Sequence, residues 1–227
     1  VKIEGVTVSI DFGDYLLETL PRNQPFFDRI VVVTTEHDLR TRKVCGDCGV
    51  SAILTNCYRY GGASFDLGAA RNRGLDACKG DGWLCTLDAD IVLPKGLRSK
   101  LPSLMASICE EENLHQAIFG LQRWTCKSRQ QWRQYLKRGY VDNSIKLHIH
   151  KKNKSLPTGF FQLWYSPDQQ LRYPEGYKTA GGSDLAFARQ FSIKRHLAAF
   201  AVHLNTMPFE HGVNWRGRLS PQWGLEE

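Results

Sequence analysis

The stretch LCTLDADIVLP, residues 84–94, carries the sharpest chemical signal in the chain. An apolar run ends in Asp88-Ala89-Asp90, and the chain turns at Pro94. Side chains two apart on an extended segment share a side, so both carboxylates can address one divalent cation. Mg²⁺ and Mn²⁺ take oxygen ligands and commonly bridge one or two carboxylates to a nucleotide diphosphate. A bare Asp-x-Asp also suits a solvated turn at a strand end. Upstream, residues 65–75 read FDLGAARNRGL, where Arg71, Asn72 and Arg73 can serve a diphosphate. A second constellation is Cys45-Gly-Asp-Cys48-Gly with Cys57 beyond it, spaced like half a zinc knuckle. A closed structural site needs four ligands, and no second Cys pair at that spacing follows. The alternative is buried thiols acting as small hydrophobes.

The elements that must position these groups alternate. Residues 6–10, 30–33, 51–54 and 83–87 are short, branched and apolar, and read as strands. Between them, residues 15–20, 38–45 and 65–78 read as helices; Leu67, Ala70, Gly74 and Ala77 share one face of the last. This rhythm implies an α/β fold with a mostly parallel central sheet flanked by helices. Ligands of such sheets lie beyond the carboxyl ends of the strands, where Asp11, Thr34, Thr35 and Asp88 fall. After Pro94 the rhythm changes. Residues 97–113 read as a helix, 116–123 as a strand, and 127–139 as a basic segment with interleaved aromatics. HIHKKNKSLP reads as a loop, GFFQLWYSP as a strand, GGSDLAFARQF as a Gly-rich turn opening a helix, and AAFAVHL as a late strand.

Composition bounds the answer. At ~150 residues per domain, 227 residues favour one elaborated domain, residues 1–94 and 95–227 being its two halves. With 42% hydrophobic and 23% charged residues, collagen-like, coiled-coil and wholly disordered readings are excluded. No apolar run is long enough to span a bilayer, and VKIEGVTVSIDFGD does not read as a signal peptide. Seven Cys, an odd number, argue against a disulfide scaffold and for a reducing, cytoplasmic setting. The charge is uneven: 10 Lys/Arg face 13 Asp/Glu up to Asp90, and 20 face 10 from Ile91 onward. Such asymmetry suits a polyanionic partner or a merely solvated basic face.

Taken in order, VSIDFGDY, VVVTTEHD, FDLGAARNRGL, TLDADIVLP, GFFQLW, GGSDLAFARQF and AFAVHL resemble the GT-A glycosyltransferases. The likeness is to family-2-like enzymes and the beta-1,4-galactosyltransferase group, and spans roughly residues 6–217. It implies a GT-A, Rossmann-like fold and a UDP-sugar donor. It further implies that Asp88 and Asp90 hold Mn²⁺ or Mg²⁺ on the diphosphate, with His203 a further ligand and His211, near Trp215, the competing one. Asp11, Thr34, Thr35 and Asp38 would line the uridine pocket, and Arg71, Asn72, Gly181 and Gly182 would serve the rest of the donor. Asp184 is the candidate general base of an inverting transfer; it could equally cap the helix that follows it. Ser183 stands where the galactosyltransferase group usually has an acidic residue.

Residues 123–154 hold ten Lys/Arg against the single acid Asp142, with aromatics between them. Basic groups bind phosphates and aromatics stack on exposed bases. Arg123, Trp124, Arg129, Trp132, Lys151, Lys152 and Lys154 are therefore candidate acceptor contacts. The profile resembles viral enzymes that glycosylate hydroxymethylpyrimidines, so 5-hydroxymethylcytosine (or hydroxymethyluracil) in DNA is the preferred acceptor, reached in a host cytoplasm. A saccharide or glycolipid of the cell envelope is the alternative. A non-catalytic nucleic-acid-binding module on a transferase fold is the alternative of another class.

Overall fold

The computed structural model describes residues 1–57, 66–106, 111–138, 156–167, 171–177, 180–204 and 223. Among the described residues, eight strands run in the order β3-β2-β1-β4-β7-β6-β8-β5. In chain order they are β1 (Ile3–Val8), β2 (Arg29–Thr34), β3 (Ser51–Leu54), β4 (Gly82–Asp88), β5 (Ile91–Val92), β6 (Ala117–Cys126), β7 (Phe161–Ser166) and β8 (Ile193–Leu204). The helices are α1 (Gly13–Asn23), α2 (Leu39–Asp47), α3 (Leu67–Asp76), α4 (Leu97–Ala106), α5 (Arg129–Arg138) and α6 (Ala180–Arg189).

The first half is the parallel βα arrangement that its sequence rhythm implies: β1 pairs in parallel with β2 and β4, and β2 with β3. The second half makes the sheet mixed. β7 inserts antiparallel between β4 and β6, β6 and β8 pair in parallel, and β5 closes antiparallel on β8. Burial follows the period of two. Ile30 and Val32 enter one core cluster with Leu16, Leu20 and Phe161, while Val31 and Val33 enter the opposite one with Ala70, Leu75 and Phe187. Both faces are therefore covered, as parallel strands of this kind require. Gly74 lets α3 sit close on the sheet, because a Cβ there would run into Val6 and Val33.

Three loops matter for the site. Thr19 donates to the Ala89 carbonyl (2.7 Å), and Asn23 bonds both the Ile91 carbonyl (2.7 Å) and the Leu93 N–H (2.8 Å). Two buried polar residues of α1 thus hold the turn after β4, through Thr19, and the two-residue β5, through Asn23. The Leu204 N–H donates to the Asp90 carbonyl (2.8 Å), and the Asp88 N–H to the Phe160 carbonyl (3.1 Å). Trp223 returns the chain to α1: its N–H donates to the buried Asp14 carboxylate, and its ring lies 5.3 Å from that of Tyr15.

Candidate active site

Asp88 ends β4 and Asp90 sits in the turn before β5, whose pairing sets Ile91 opposite His203 on β8. The Nε2 of His203 lies 3.0 Å from an Asp90 carboxylate oxygen. Arg71, on α3 and only 2% exposed, bonds Asp88 (3.0 Å) and the Gly159 carbonyl (2.8 Å) and forms an ion pair with Asp184. Arg123, on β6, lies over the Phe160 ring (5.0 Å) and faces both Asp88 and Asp90. The floor of the site therefore holds three carboxylates interleaved with Arg71, Arg123 and His203.

The two metal-motif carboxylates differ. Burial works to raise Asp90, but the charge and hydrogen bond of His203, aided by Arg123, hold it below the usual carboxylate range. Asp88 is pushed up by desolvation; Arg71 pulls against this and Asp90 adds to it. Its side chain keeps 41% of its surface, so that desolvation is partial. The donors suit a divalent cation: the Asp90 carboxylate meets the His203 imidazole, and the Asp88 carboxylate lies near enough to interact electrostatically with both. Among the described residues no three His, Cys, Asp or Glu side chains enclose an ion by themselves. Water and phosphate oxygens would complete such a shell.

Asp184 lies inside α6, past its first turn, so it does not cap that helix. It is 8% exposed. Its surroundings are built for it. A Cβ on Gly159 would occupy the space of the Asp184 carboxylate. The Asp184 carbonyl accepts from Gln162 Nε2 (3.2 Å), and Gln162 Oε1 accepts from the Tyr173 hydroxyl (2.6 Å), which also meets Thr86 (2.6 Å). Arg71 lies over the Tyr173 ring at 5.0 Å, and that ring stacks on Phe187 at 3.9 Å.

Several expected contacts lie elsewhere. Asn72 does not face the cluster: its amide donates to the Tyr173 carbonyl (2.9 Å) and Glu175 (2.7 Å) and accepts the Tyr173 N–H (2.9 Å). It clamps the segment that carries Tyr173. Asp38 caps α2 by accepting the Thr41 N–H (2.9 Å), and also accepts the Asp11 N–H (2.7 Å) and the Thr34 hydroxyl (3.2 Å). Asp38, Thr34 and Thr35 are buried and shape the loop from behind, while Asp11 takes a left-handed backbone (φ 62°). Beside them, Glu36, Leu54, Thr55, Asn56, Cys57 and Arg73 line an open groove of about 490 Å³ at the ends of β2 and β3. No residue of the carboxylate cluster lines this groove, and β1 stands between β2 and the strand that ends in Asp88. Gly181 and Gly182 fall within α6, and a Cβ on Gly182 would meet the Tyr177 ring.

The acceptor candidates divide. Trp132 is 1% exposed, packs with Val92, Val202 and Leu204, and donates from its indole N–H to Glu18 (3.1 Å). It is a core residue and no stacking platform, because α5 turns its apolar side inward. Trp124 stacks on Phe200 at 4.8 Å, Arg123 turns to the carboxylates, and Arg129 opens α5. Lys151, Lys152, Lys154, His211 and Trp215 lie outside the described residues. Arg123 as a member of the central cluster and Tyr173 beside Asp184 escaped the sequence reading, while Gly159 and Gln162 entered it only within the GFFQLW segment, without individual roles. The cysteines at 45, 48 and 57 form no metal group among the described residues, and Cys45 is buried in the core.

The mixed eight-stranded sheet described above has the architecture of the GT-A fold. The model for glycosyl transferase family 2 matches residues 14–166, and the chain belongs to that family. A search of curated protein sequences gave no match. Among solved structures the chain is similar to glucosyl-3-phosphoglycerate synthase from Mycobacterium tuberculosis. The complex of that enzyme with Mn²⁺ and UDP-glucose gives a TM-score of 0.54 at 14% identity, covering 92% of this chain and 73% of that one. The complex with Mg²⁺ and UDP gives 0.52 at 15%, with the same coverage. At such identity the likeness is one of fold.

Proposed function

We propose that the protein is a metal-dependent, inverting glycosyltransferase that moves a sugar from a UDP-sugar to the hydroxyl of a saccharide acceptor. The observation that carries this is the gathering of Asp88, Asp90, His203 and Asp184 around Arg71 and Arg123. The Mn²⁺, Mg²⁺, UDP and UDP-glucose held by the structural neighbours support it. Asp90, His203 and Asp88 would hold Mn²⁺ or Mg²⁺ against the donor diphosphate; a cation bound there supplies charge stabilisation for departing UDP. The groove between Glu36 and Arg73 would take the base, on a loop that Asp11, Thr34, Thr35 and Asp38 hold in shape.

Asp184 acts as the general base. As the acceptor oxygen forms its bond to the anomeric carbon, the bond from that carbon to the UDP oxygen breaks, and Asp184 takes the hydroxyl proton. One displacement inverts the anomeric centre. Asp184→Asn should lower transfer by roughly a hundredfold to ten-thousandfold while UDP affinity stays nearly constant. The test is turnover of UDP-glucose with Mn²⁺ over a panel of saccharides, with the product anomer read by NMR. A β-linked glucoside supports the reading, and an α-linked one overturns the inverting mechanism.

A hydroxymethylated base in DNA is the second reading, favoured by the ten-to-one charge excess over residues 123–154. The inward turn of Trp132 weakens it. If DNA is the acceptor, transfer must fall steeply with added salt, since each phosphate contact releases counterions. Transfer that is insensitive to salt, and equal on nucleoside and polymer, removes it.

A further inference from the structure

Arg71 contacts the metal-motif carboxylate and the candidate base with one guanidinium. It bonds Asp88 at 3.0 Å, pairs with Asp184, and is anchored by the Gly159 carbonyl at 2.8 Å beneath the face of Tyr173. At 2% exposure it offers almost no surface to a substrate. An arginine fork can engage two carboxylates at fixed geometry, which a lysine ammonium cannot reproduce. The surroundings leave Asp184 little choice of position, since Gly159 lacks the Cβ that would displace it and Gln162 holds its backbone.

Resting on the transferase reading above, we propose that Arg71 is a positioning residue that couples the donor site to the base. It sets the Asp184 carboxylate where the acceptor hydroxyl must arrive, and orients Asp88 toward the donor diphosphate. It touches neither substrate. Its effect on turnover runs through Asp184, and its effect on donor affinity runs through Asp88. The two effects are therefore separable.

The experiment is a double-mutant cycle on hydrolysis of UDP-glucose with Mn²⁺, water serving as the acceptor, alongside calorimetric binding of UDP with Mn²⁺. Arg71→Lys alone should lower kcat by roughly ten- to a hundredfold, as expected when a catalytic group is misplaced by about an ångström. It should also weaken UDP binding severalfold. In the Asp184→Asn background the same substitution should leave kcat within about twofold, because effects that pass through one group do not multiply. Its cost in UDP affinity should persist there undiminished. Arg71→Met extends the series, and thermal melting of each variant identifies any that fails to fold; Arg71→Lys, which keeps the charge, then carries the cycle.

Loss of kcat by the same factor in both backgrounds would overturn the proposal and leave Arg71 a structural residue. A wild-type protein that neither binds UDP with Mn²⁺ nor hydrolyses UDP-glucose would instead defeat the transferase reading, and this proposal with it.

Discussion

The imidazole of His203 meets the carboxylate of Asp90 at 3.0 Å across 113 residues of chain. What brings them together is a strand of two residues. β5 pairs Ile91 with His203 and Val92 with Val202, and the Leu204 N–H closes the contact on the Asp90 carbonyl. β8 is a long strand whose last turn of register carries the histidine, so the site depends on the whole second half of the sheet. The same register sets Thr125 of β6 beside His203 and Arg123 beside Ala201, which brings Arg123 to the carboxylates.

The space occupied by the base can be tested through a glycine. Gly159→Ala would put a methyl group where the Asp184 carboxylate lies. Turnover should fall by roughly a hundredfold from misplacement of the reacting groups, with UDP binding little changed. Gly46→Ala on α2 is the control, since a Cβ there meets nothing within 4 Å. It should stabilise the protein by about 0.5–1 kcal/mol through helix propensity, with kcat unaltered. Equal turnover in the two variants would show that Gly159 gives way without moving Asp184.

Trp132 separates core from contact surface. Truncation of a buried aromatic of this size costs about 3–5 kcal/mol, so Trp132→Ala should melt well below the wild-type protein. A stacking residue on an acceptor surface would lose affinity at unchanged stability. Thermal denaturation distinguishes the two outcomes.

Thiol chemistry checks the cysteine assignment. Burial pushes the Cys45 thiol up to about 11 and those of Cys78 and Cys126 up to about 12, and raises Cys85 well above the ordinary range. A raised thiol pKa leaves almost no thiolate at pH 8, and thiolate is the reactive form. Alkylation of the native protein should therefore reach Cys57 before these four, as read by peptide mass analysis. Early labelling of Cys45, or loss of stability on adding a zinc chelator, would reopen the zinc reading.

The first half of the fold was legible because each element there satisfies a local rule. Ser51–Leu54 coincides with the strand read from its composition, and α3 starts at the cap that Asp66 supplies. Asp88 and Asp90 stood out because an apolar strand has little reason to end in two carboxylates. The second half was less legible. β5 is too short for any periodicity to reveal it, and the antiparallel insertion of β7 between β4 and β6 is a choice of partner, which alternation does not encode. Asn72 and Arg71 are adjacent in sequence and similar as candidate donor ligands; helix geometry turns one to the 173–175 segment and the other to the carboxylates. Trp132 looked like an acceptor contact because cations surround it in sequence, yet its ring packs into the core against Val92, Val202 and Leu204.

The most direct test of the central claim is calorimetric binding of UDP to the wild-type protein and to Asp90→Ala, each with Mn²⁺ and again in chelator. If Asp88, Asp90 and His203 form a metal-bridged donor site, wild-type binding requires Mn²⁺ and Asp90→Ala loses it while melting as a folded protein. UDP binding that survives both the chelator and the substitution would contradict the account.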